Sequence, residues 1–185
     1  ALGQDCHVIP HGVDLDKFAP ASQRDAQAEL GWEQDAHQVL FPYPRSKAVK
    51  NPSLAERIVH VTRERLDSPV ELQFVSGVPH DRMPTYMNAA DALLLTSDRE
   101  GSPNSVKEAM ACDLPVVSTD VGDVAQRLAG VRHSFVGRDE TELVDYLVSI
   151  LDAGVESNGR EVISDLSIGR MGERLAAVYR DVVET

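Results

Sequence analysis

The chain has 185 residues, with 18 basic and 30 acidic side chains and a formal net charge of −12. This length fits one α/β domain with a good core and is too short for two domains of ordinary size. The acidic balance excludes nucleic acid as the expected partner, because the phosphate backbone would be repelled. No apolar run approaches the roughly twenty residues of a membrane-spanning helix, and no signal peptide is recognisable. We therefore expect a cytoplasmic protein. The alternative is that a full-length enzyme acts as a peripheral protein at the inner membrane face.

Strand-like and helix-like segments alternate along the chain, which is typical of βαβ units and a parallel sheet. Strands are predicted at residues 39–41, 70–75, 92–96, 116–118 and 134–136. Apolar residues at helical spacing predict helices at residues 53–66, 82–90, 105–112, 123–128, 141–151 and 163–183. The predicted fold is α/β, with a single doubly wound, Rossmann-like parallel sheet and helices on both faces.

Two cysteines, Cys6 and Cys112, lack the spacing of a disulfide framework or a zinc site. Cys112 falls at the apolar end of a predicted helix, where it is expected to be a small core residue. Asp120 and Asp123 do not have the Asp-x-Asp spacing that would hold a divalent metal ion. We therefore expect no metal cofactor.

The most informative segment, residues 100–108, reads EGSPNSVKE and connects a predicted buried strand to a predicted helix. In a parallel sheet such a loop lies at the carboxyl ends of the strands. The helix that follows it points free N–H groups toward whatever binds there. The segment therefore predicts a site for an anionic ligand.

With its flanking text EG…EAMA…PVVSTDVG, this segment resembles the E-x7-E motif of retaining glycosyltransferases that have the GT-B fold, in particular family 4. Residues 8–18, followed by Pro20, resemble the family's IPNGVD…F.P linker, with His11 where asparagine is usual. The resemblance covers nearly the whole chain. It implies the C-terminal half of a GT-B fold, with an interdomain linker at residues 1–20 and a nucleotide-sugar-binding domain at residues 21–185. The N-terminal, acceptor-binding domain of the same enzyme would then be a partner.

The resemblance also implies which groups grip the diphosphate of a nucleotide-diphosphate sugar. Arg45 and Lys50 follow the first predicted strand, where the family has its two cations, and the extra Lys47 is an alternative for either role. Backbone amides at the start of the helix would add dipole and hydrogen-bond stabilisation. These amides belong to Ser102, Asn104, Ser105 and Val106.

The two glutamates receive different expected roles. Glu100 corresponds to the family's catalytic glutamate, which contacts the donor sugar near the reacting carbon and stabilises positive charge or holds hydroxyls. Glu108 corresponds to the residue that accepts hydrogen bonds from the ribose. The sequence from Ser105 to Glu108 is also compatible with a capping box, in which Glu108 bonds the helix's own backbone and needs no ligand.

One departure from the family pattern concerns the nucleobase pocket. Residues 74–77 lead straight to Pro79 and His80, where relatives place a further βα unit. The base is therefore the least defined part of the predicted ligand. His11 and His80 lie near the presumed cleft, where partly exposed polar side chains are expected.

These observations predict the donor-binding domain of a retaining glycosyltransferase. We expect it to be inactive alone, because transfer would occur in a cleft between two domains and this domain supplies only one wall. Two alternatives remain: a non-catalytic nucleotide-binding module and a GT-B-type nucleotide-sugar epimerase. A glycosidase pair of carboxylates is disfavoured, because the adjacent cations and helix start suit a phosphate-bearing donor.

Overall fold

A computed structural model describes residues 8–184, so Cys6 and the first seven residues of the predicted linker lie outside the described part. Five parallel strands form one sheet in the order β2-β1-β3-β4-β5. The strands are β1 His37–Phe41, β2 Val70–Phe74, β3 Ala92–Leu95, β4 Val116–Thr119 and β5 Phe135–Gly137. All the predicted strands are present, with ends that differ by at most two residues.

Helices alternate with the strands, and three further helices follow the last strand. They are α1 Gln23–Leu30, α2 Pro52–Arg65, α3 Met83–Ala89, α4 Asn104–Ala111, α5 Val124–Leu128, α6 Glu140–Ala153, α7 Gly159–Ile163 and α8 Ile168–Glu184. Short 3₁₀ turns occur at Ala48–Lys50 and Ser164–Leu166. Within the described residues, none of these helices combines the length and the apolar character needed to span a membrane.

The sheet has a hydrophobic core on each face, because successive side chains of a strand point to opposite sides. In β1, Val39 and Phe41 pack with α2 and α6, whereas Leu40 belongs to the core formed with α3, α4, α5 and α7. All three side chains are fully buried. The predicted fold class, a doubly wound parallel sheet covered on both faces, is confirmed.

The functional edge of the sheet follows from the strand order. Chain connections run from β1 outward to β2 and from β3 outward through β4 to β5, so the order reverses between β1 and β3. Ligands of open α/β sheets bind at the carboxyl ends of the strands at this kind of reversal. The loops after β1 and β3 meet there. The first contains the basic residues at positions 45–50, and the second leads into the two-glutamate segment, residues 100–108.

The predicted helix at residues 163–183 is present as α8, but it begins five residues later than predicted, at Ile168. Helix α7 ends at Ile163, a 3₁₀ turn follows, and α8 begins at Ile168. The break occurs where the linker pairs with this backbone: the Val13 N–H donates to the Leu166 carbonyl at 2.8 Å, and the Ile168 N–H donates to the Val13 carbonyl at 3.0 Å. A side chain at Gly12 would lie 2.8 Å from the Ser167 oxygen, so this contact requires glycine.

Helix α1 was not predicted from the sequence, although its ends carry local signals. The Ser22 hydroxyl accepts a hydrogen bond from the Asp25 N–H, and Gly31 ends the helix in the left-handed conformation with φ 68°. Between β2 and α3 the described chain contains no additional strand or helix. The direct passage that the sequence indicates at residues 74–80 is therefore present in the structure.

Candidate functional site

The loop after β1 delivers Lys50 to the sheet reversal. Asn51 ends the 3₁₀ turn in the left-handed conformation, with φ 50°, and its side chain accepts the Leu54 N–H at the start of α2. The Lys50 carbonyl accepts a hydrogen bond from the Thr96 hydroxyl at 3.0 Å, just beyond the end of β3. This contact fixes the two loops of the site relative to each other.

Lys50 and Glu100 form an ion pair at this point. Their side chains are 10% and 12% exposed, respectively, so water screens the pair only in part. The Ser97 hydroxyl donates to the same Glu100 oxygen at 2.7 Å, and the Lys50 ammonium lies 4.0 Å from the centre of the Tyr43 ring. The predicted phosphate-binding cation and the predicted catalytic carboxylate therefore occupy one cluster.

The loop after β4 supports the segment that carries Glu100. The Asp123 N–H donates to the Gly101 carbonyl at 3.0 Å. Gly122 has φ 57°, and a Cβ atom there would lie 2.3 Å from the Gly101 oxygen. Only glycine combines this conformation with so close an approach, so Gly122 is a structural requirement of the site.

Helix α4 begins at Asn104, and its N-cap residue Pro103 gives it no side-chain cap. The first-turn amides, which include those of Asn104, Ser105 and Val106, therefore remain oriented toward the loop edge. Ser105 lies inside the helix, and its hydroxyl is 2.7 Å from the Tyr43 hydroxyl. Burial raises the pKa of Tyr43 to about 12, which keeps this phenol neutral.

The capping-box interpretation of Ser105 and Glu108 is wrong, because Ser105 is the second helical residue rather than the N-cap. Glu108 instead bonds His80, with 2.9 Å between Oε1 and Nε2. The other imidazole nitrogen, Nδ1, lies 2.9 Å from the Lys17 ammonium of the linker segment. His80 is 63% exposed, as expected, whereas Glu108 is 13% exposed.

A second contact joins the linker segment to α4. The Lys107 ammonium donates to the His11 carbonyl at 3.0 Å, and Lys107 is only 1% exposed. Burial lowers the pKa of Lys107. A cleft of about 90 Å³ lies between the linker and α4, where His11, Asn104 and Glu108 contribute to its walls.

The structure does not bring every predicted donor-binding residue to this cluster. Arg45 forms an ion pair with Glu56 at 3.4 Å and lies over the Phe74 ring at 4.3 Å. Lys47 is exposed, and among the described residues its side chain has no ion-pair partner. Ser102 is exposed at the loop edge before α4. The donor-binding roles of Arg45, Lys47 and Ser102, like those of the other predicted site residues, therefore remain predictions.

Sequence reasoning missed four contributors to the site: Tyr43, Ser97, Lys17 and Lys107. Tyr43 lies two residues beyond β1 and Ser97 two residues beyond β3, so their positions at strand ends could have indicated them. Lys17 and Lys107 act across long sequence separations, which no local pattern reveals. Cys112 is buried, as predicted, and burial raises its pKa to about 12.

Within residues 8–184, no group of three or more histidine, cysteine or acidic side chains is arranged to hold a metal ion. The centre of the site combines the Lys50 ammonium, the Glu100 and Glu108 carboxylates, hydroxyl groups and the start of α4. Such an arrangement can bind a phosphate-bearing molecule through the cation and the amides, and can accept hydrogen bonds from hydroxyl groups through the carboxylates.

The fold is that of an α/β domain with a doubly wound parallel sheet, and the cluster lies at its reversal of strand order. The sequence matches the family described as "Glycosyl transferases group 1" over residues 48–153, and the chain belongs to this family. The matched region contains Lys50, Glu100 and Glu108.

Among curated relatives, the chain is 24% identical to D-inositol 3-phosphate glycosyltransferase 1 of Catenulispora acidiphila, with 100% of this chain and 53% of that protein aligned. Among solved structures, sucrose-phosphate synthase from Thermosynechococcus elongatus superposes with a TM-score of 0.74 at 22% identity, covering 96% of this chain and 53% of the other. Anabaena HepE, solved in complex with UDP-glucose, gives a TM-score of 0.65 at 18% identity, covering 95% of this chain and 57% of the other. The chain thus spans about half the length of these proteins.

Proposed function

We propose that this chain is the donor-binding half of a retaining glycosyltransferase of family 4, which moves a sugar from a nucleotide-diphosphate sugar to an acceptor. The observation that carries the proposal is the cluster of Lys50, Glu100 and the start of α4 at the reversal of strand order. The complex of a structural neighbour with UDP-glucose supports a donor of this class. The family membership of the chain supports transfer over the epimerase and binding-module alternatives.

In this proposal the diphosphate lies between the Lys50 ammonium and the first-turn amides of α4. Lys50 supplies a full positive charge, and the amides supply donors with the positive end of the helix dipole. Glu108, one turn into the helix, accepts hydrogen bonds from the ribose hydroxyls. Its Oε2 atom has no partner among the described residues, so one carboxylate oxygen is free for this role.

Glu100 would face the donor sugar near its reacting carbon. Its ion pair with Lys50 and its hydrogen bond from Ser97 fix the carboxylate before the donor arrives. A fixed negative charge stabilises positive charge that develops on the sugar ring, without reorganisation at the moment of reaction. Transfer then needs an acceptor held on the opposite wall of a cleft.

The opposite wall is proposed to be the N-terminal half of a longer enzyme, since the relatives are about twice as long as this chain. Helix α8 offers a docking face of exposed apolar side chains spaced for one side of a helix: Ile168, Leu175, Tyr179 and Val182. In a full-length protein, L175E/Y179E should reduce transfer, whereas the melting temperature of the isolated chain should barely change. Full activity of that variant would rule out this docking role.

The direct test of the proposed function is calorimetric titration of the chain with UDP, GDP and ADP, each alone and as its glucose conjugate. One nucleotide diphosphate should bind, and sugar transfer should be absent, because the chain cannot orient a donor against an acceptor. Robust transfer by the purified chain would contradict the half-site assignment. No binding of any of the three would contradict the donor site itself.

A further inference from the structure

His80 lies outside the two-glutamate segment, yet it contacts the second glutamate directly. Its ring is confined on three sides: Glu108 at Nε2, the Lys17 ammonium at Nδ1, and the Phe18 ring at a centroid distance of 5.4 Å. Phe18 is only 1% exposed, so this side of the imidazole rests on the hydrophobic core. These three contacts hold the imidazole of His80 in one orientation.

The partners of the two ring nitrogens determine where the imidazole proton lies. A lysine ammonium has three donors and no acceptor, so the Nδ1 atom of His80 must accept. The neutral ring then carries its hydrogen on Nε2, and that N–H donates to Glu108 Oε1. The Glu108 carboxylate, which can only accept, requires the same tautomer, so both partners of His80 favour the form that donates to the glutamate.

The hydrogen bond from His80 orients the Glu108 carboxylate and leaves acceptor positions on it free. A carboxylate has two oxygens and about four acceptor positions. His80 uses one position on Oε1 and leaves Oε2 without a partner in the described part of the chain. Two adjacent hydroxyl groups of a ribose require a carboxylate held in one rotamer with an oxygen free, and this is the state that His80 maintains.

We propose that His80 is a positioning residue for nucleotide binding: with its Nε2–H donated to Glu108, it holds that carboxylate in the orientation that accepts the ribose hydroxyls. This inference rests on the proposed function, because it requires a ribose at Glu108. It assigns the loop before α3 a part in binding the nucleotide, and it makes Lys17 of the linker segment an indirect contributor.

Calorimetry with single variants and a double variant tests the proposal. The probe is the tightest binder among UDP, GDP and ADP, together with its nucleoside. H80A should weaken both by the same factor, about five- to tenfold, because the ribose is common to both. H80Q should retain most of the affinity, since its side-chain amide can donate from nearly the same place. In an E108A background, H80A should have little further effect.

The matched control is H60A, since His60 is also exposed and paired with a carboxylate, Glu64 at 3.6 Å, but lies on α2. H60A should leave affinity unchanged, and thermal melts should show that H80A is folded. If E108A weakens binding while H80A does not, the role of His80 is refuted and the donor site stands. If E108A also has no effect, the ribose assignment fails and this inference fails with it.

A spectroscopic measurement reads the tautomer independently of any ligand. In ¹⁵N-histidine NMR spectra at about pH 8, where imidazole is neutral, His80 should show the Nε2–H tautomer, with H80Q providing the assignment. K17M should leave the Nε2–H form dominant, because the Glu108 carboxylate can only accept and still requires that hydrogen. A dominant Nδ1–H form in the unsubstituted protein would overturn the proposal, because His80 would then have no hydrogen to give to Glu108.

Discussion

Lys50 is held between Glu100 and Tyr43: its ammonium pairs with the carboxylate and lies 4.0 Å from the centre of the phenol ring. A diphosphate that approaches Lys50 must therefore share this cation with Glu100. The arrangement preorganises both side chains, and it also sets a carboxylate beside the expected position of an anion. Under the proposed function, nucleotide binding would be favoured by removing the Glu100 charge, whereas sugar transfer would need it. The first two predictions follow from this conflict.

Replacing Lys50 by methionine should weaken nucleotide diphosphate binding by about 1.5–3 kcal/mol, the usual worth of a hydrogen bond to a charged group. Nucleoside binding should change much less, because the proposed role of Lys50 is to contact only the phosphate groups. Titration calorimetry measures both. The control is Lys47→Met, which should have little effect if Lys50 fills the role. A larger loss with Lys47→Met would transfer the assignment to Lys47.

Glu100→Gln should strengthen nucleotide diphosphate binding by about 1 kcal/mol, because the carboxylate no longer competes for Lys50 and no longer repels phosphate. The same change in a full-length enzyme should greatly reduce sugar transfer, since a neutral amide stabilises positive charge on the sugar poorly. Calorimetry and a transfer assay measure the two effects. A Glu100→Gln enzyme with unchanged turnover would show that the carboxylate has no catalytic role.

Nucleotide binding should persist in EDTA, because Lys50 and the first-turn amides of α4 are proposed to neutralise the diphosphate without a metal ion. Calorimetric titrations in EDTA and in excess Mg²⁺ should give affinities within about threefold of each other, which corresponds to less than 1 kcal/mol. Binding that appears only with Mg²⁺ would refute the metal-independent site.

The alternation of strands and helices was predictable because buried strands and amphipathic helices leave periodic patterns in the sequence. The position of Lys50 and Glu100 at one edge was also predictable, since parallel strands bring their carboxyl ends together. The contacts of Glu108 were not. The choice between a capping box and a distant partner depends on where α4 begins, and Pro103 rather than Ser105 takes the N-cap position.

The late start of the helix predicted at residues 163–183 has a similar cause. Its apolar spacing is continuous, and the break falls where Val13 pairs with the backbone at Leu166 and Ile168. Val13 and its partners are separated by about 150 positions, and a contact over such a distance leaves no local pattern in the sequence. The links from Lys17 to His80 and from Lys107 to His11 escaped prediction for the same reason.

Gly122→Ala should destabilise the chain by about 1–3 kcal/mol, from the positive φ and the lack of space beside the Gly101 oxygen. The strain should also displace the segment that carries Glu100 and weaken nucleotide binding. Thermal melts and calorimetry measure the two effects. Gly101→Ala is the matched control, because a Cβ atom there meets nothing within 4 Å. Equal stability of the two variants would contradict the close approach of Gly122 to the Gly101 oxygen.

The last prediction separates Glu108 from Ser105, which the sequence joined in one motif. Glu108→Ala should lower affinity for nucleotide and nucleoside alike by about 1.5–3 kcal/mol, the cost of losing hydrogen bonds to a charged acceptor. Its melting temperature should change little, because the carboxylate does not cap α4 and its partner His80 is mostly exposed.

Ser105→Ala should do the opposite. It removes the 2.7 Å contact with the Tyr43 hydroxyl and leaves that phenol, already neutral and mostly buried, without its partner. We expect a loss of stability of about 1–2 kcal/mol and a nearly unchanged nucleotide affinity, since the Ser105 backbone amide is retained. Calorimetry beside thermal melts of both variants decides the matter. If Glu108→Ala lowers the melting temperature and leaves affinity intact, the glutamate is structural and the ribose site lies elsewhere.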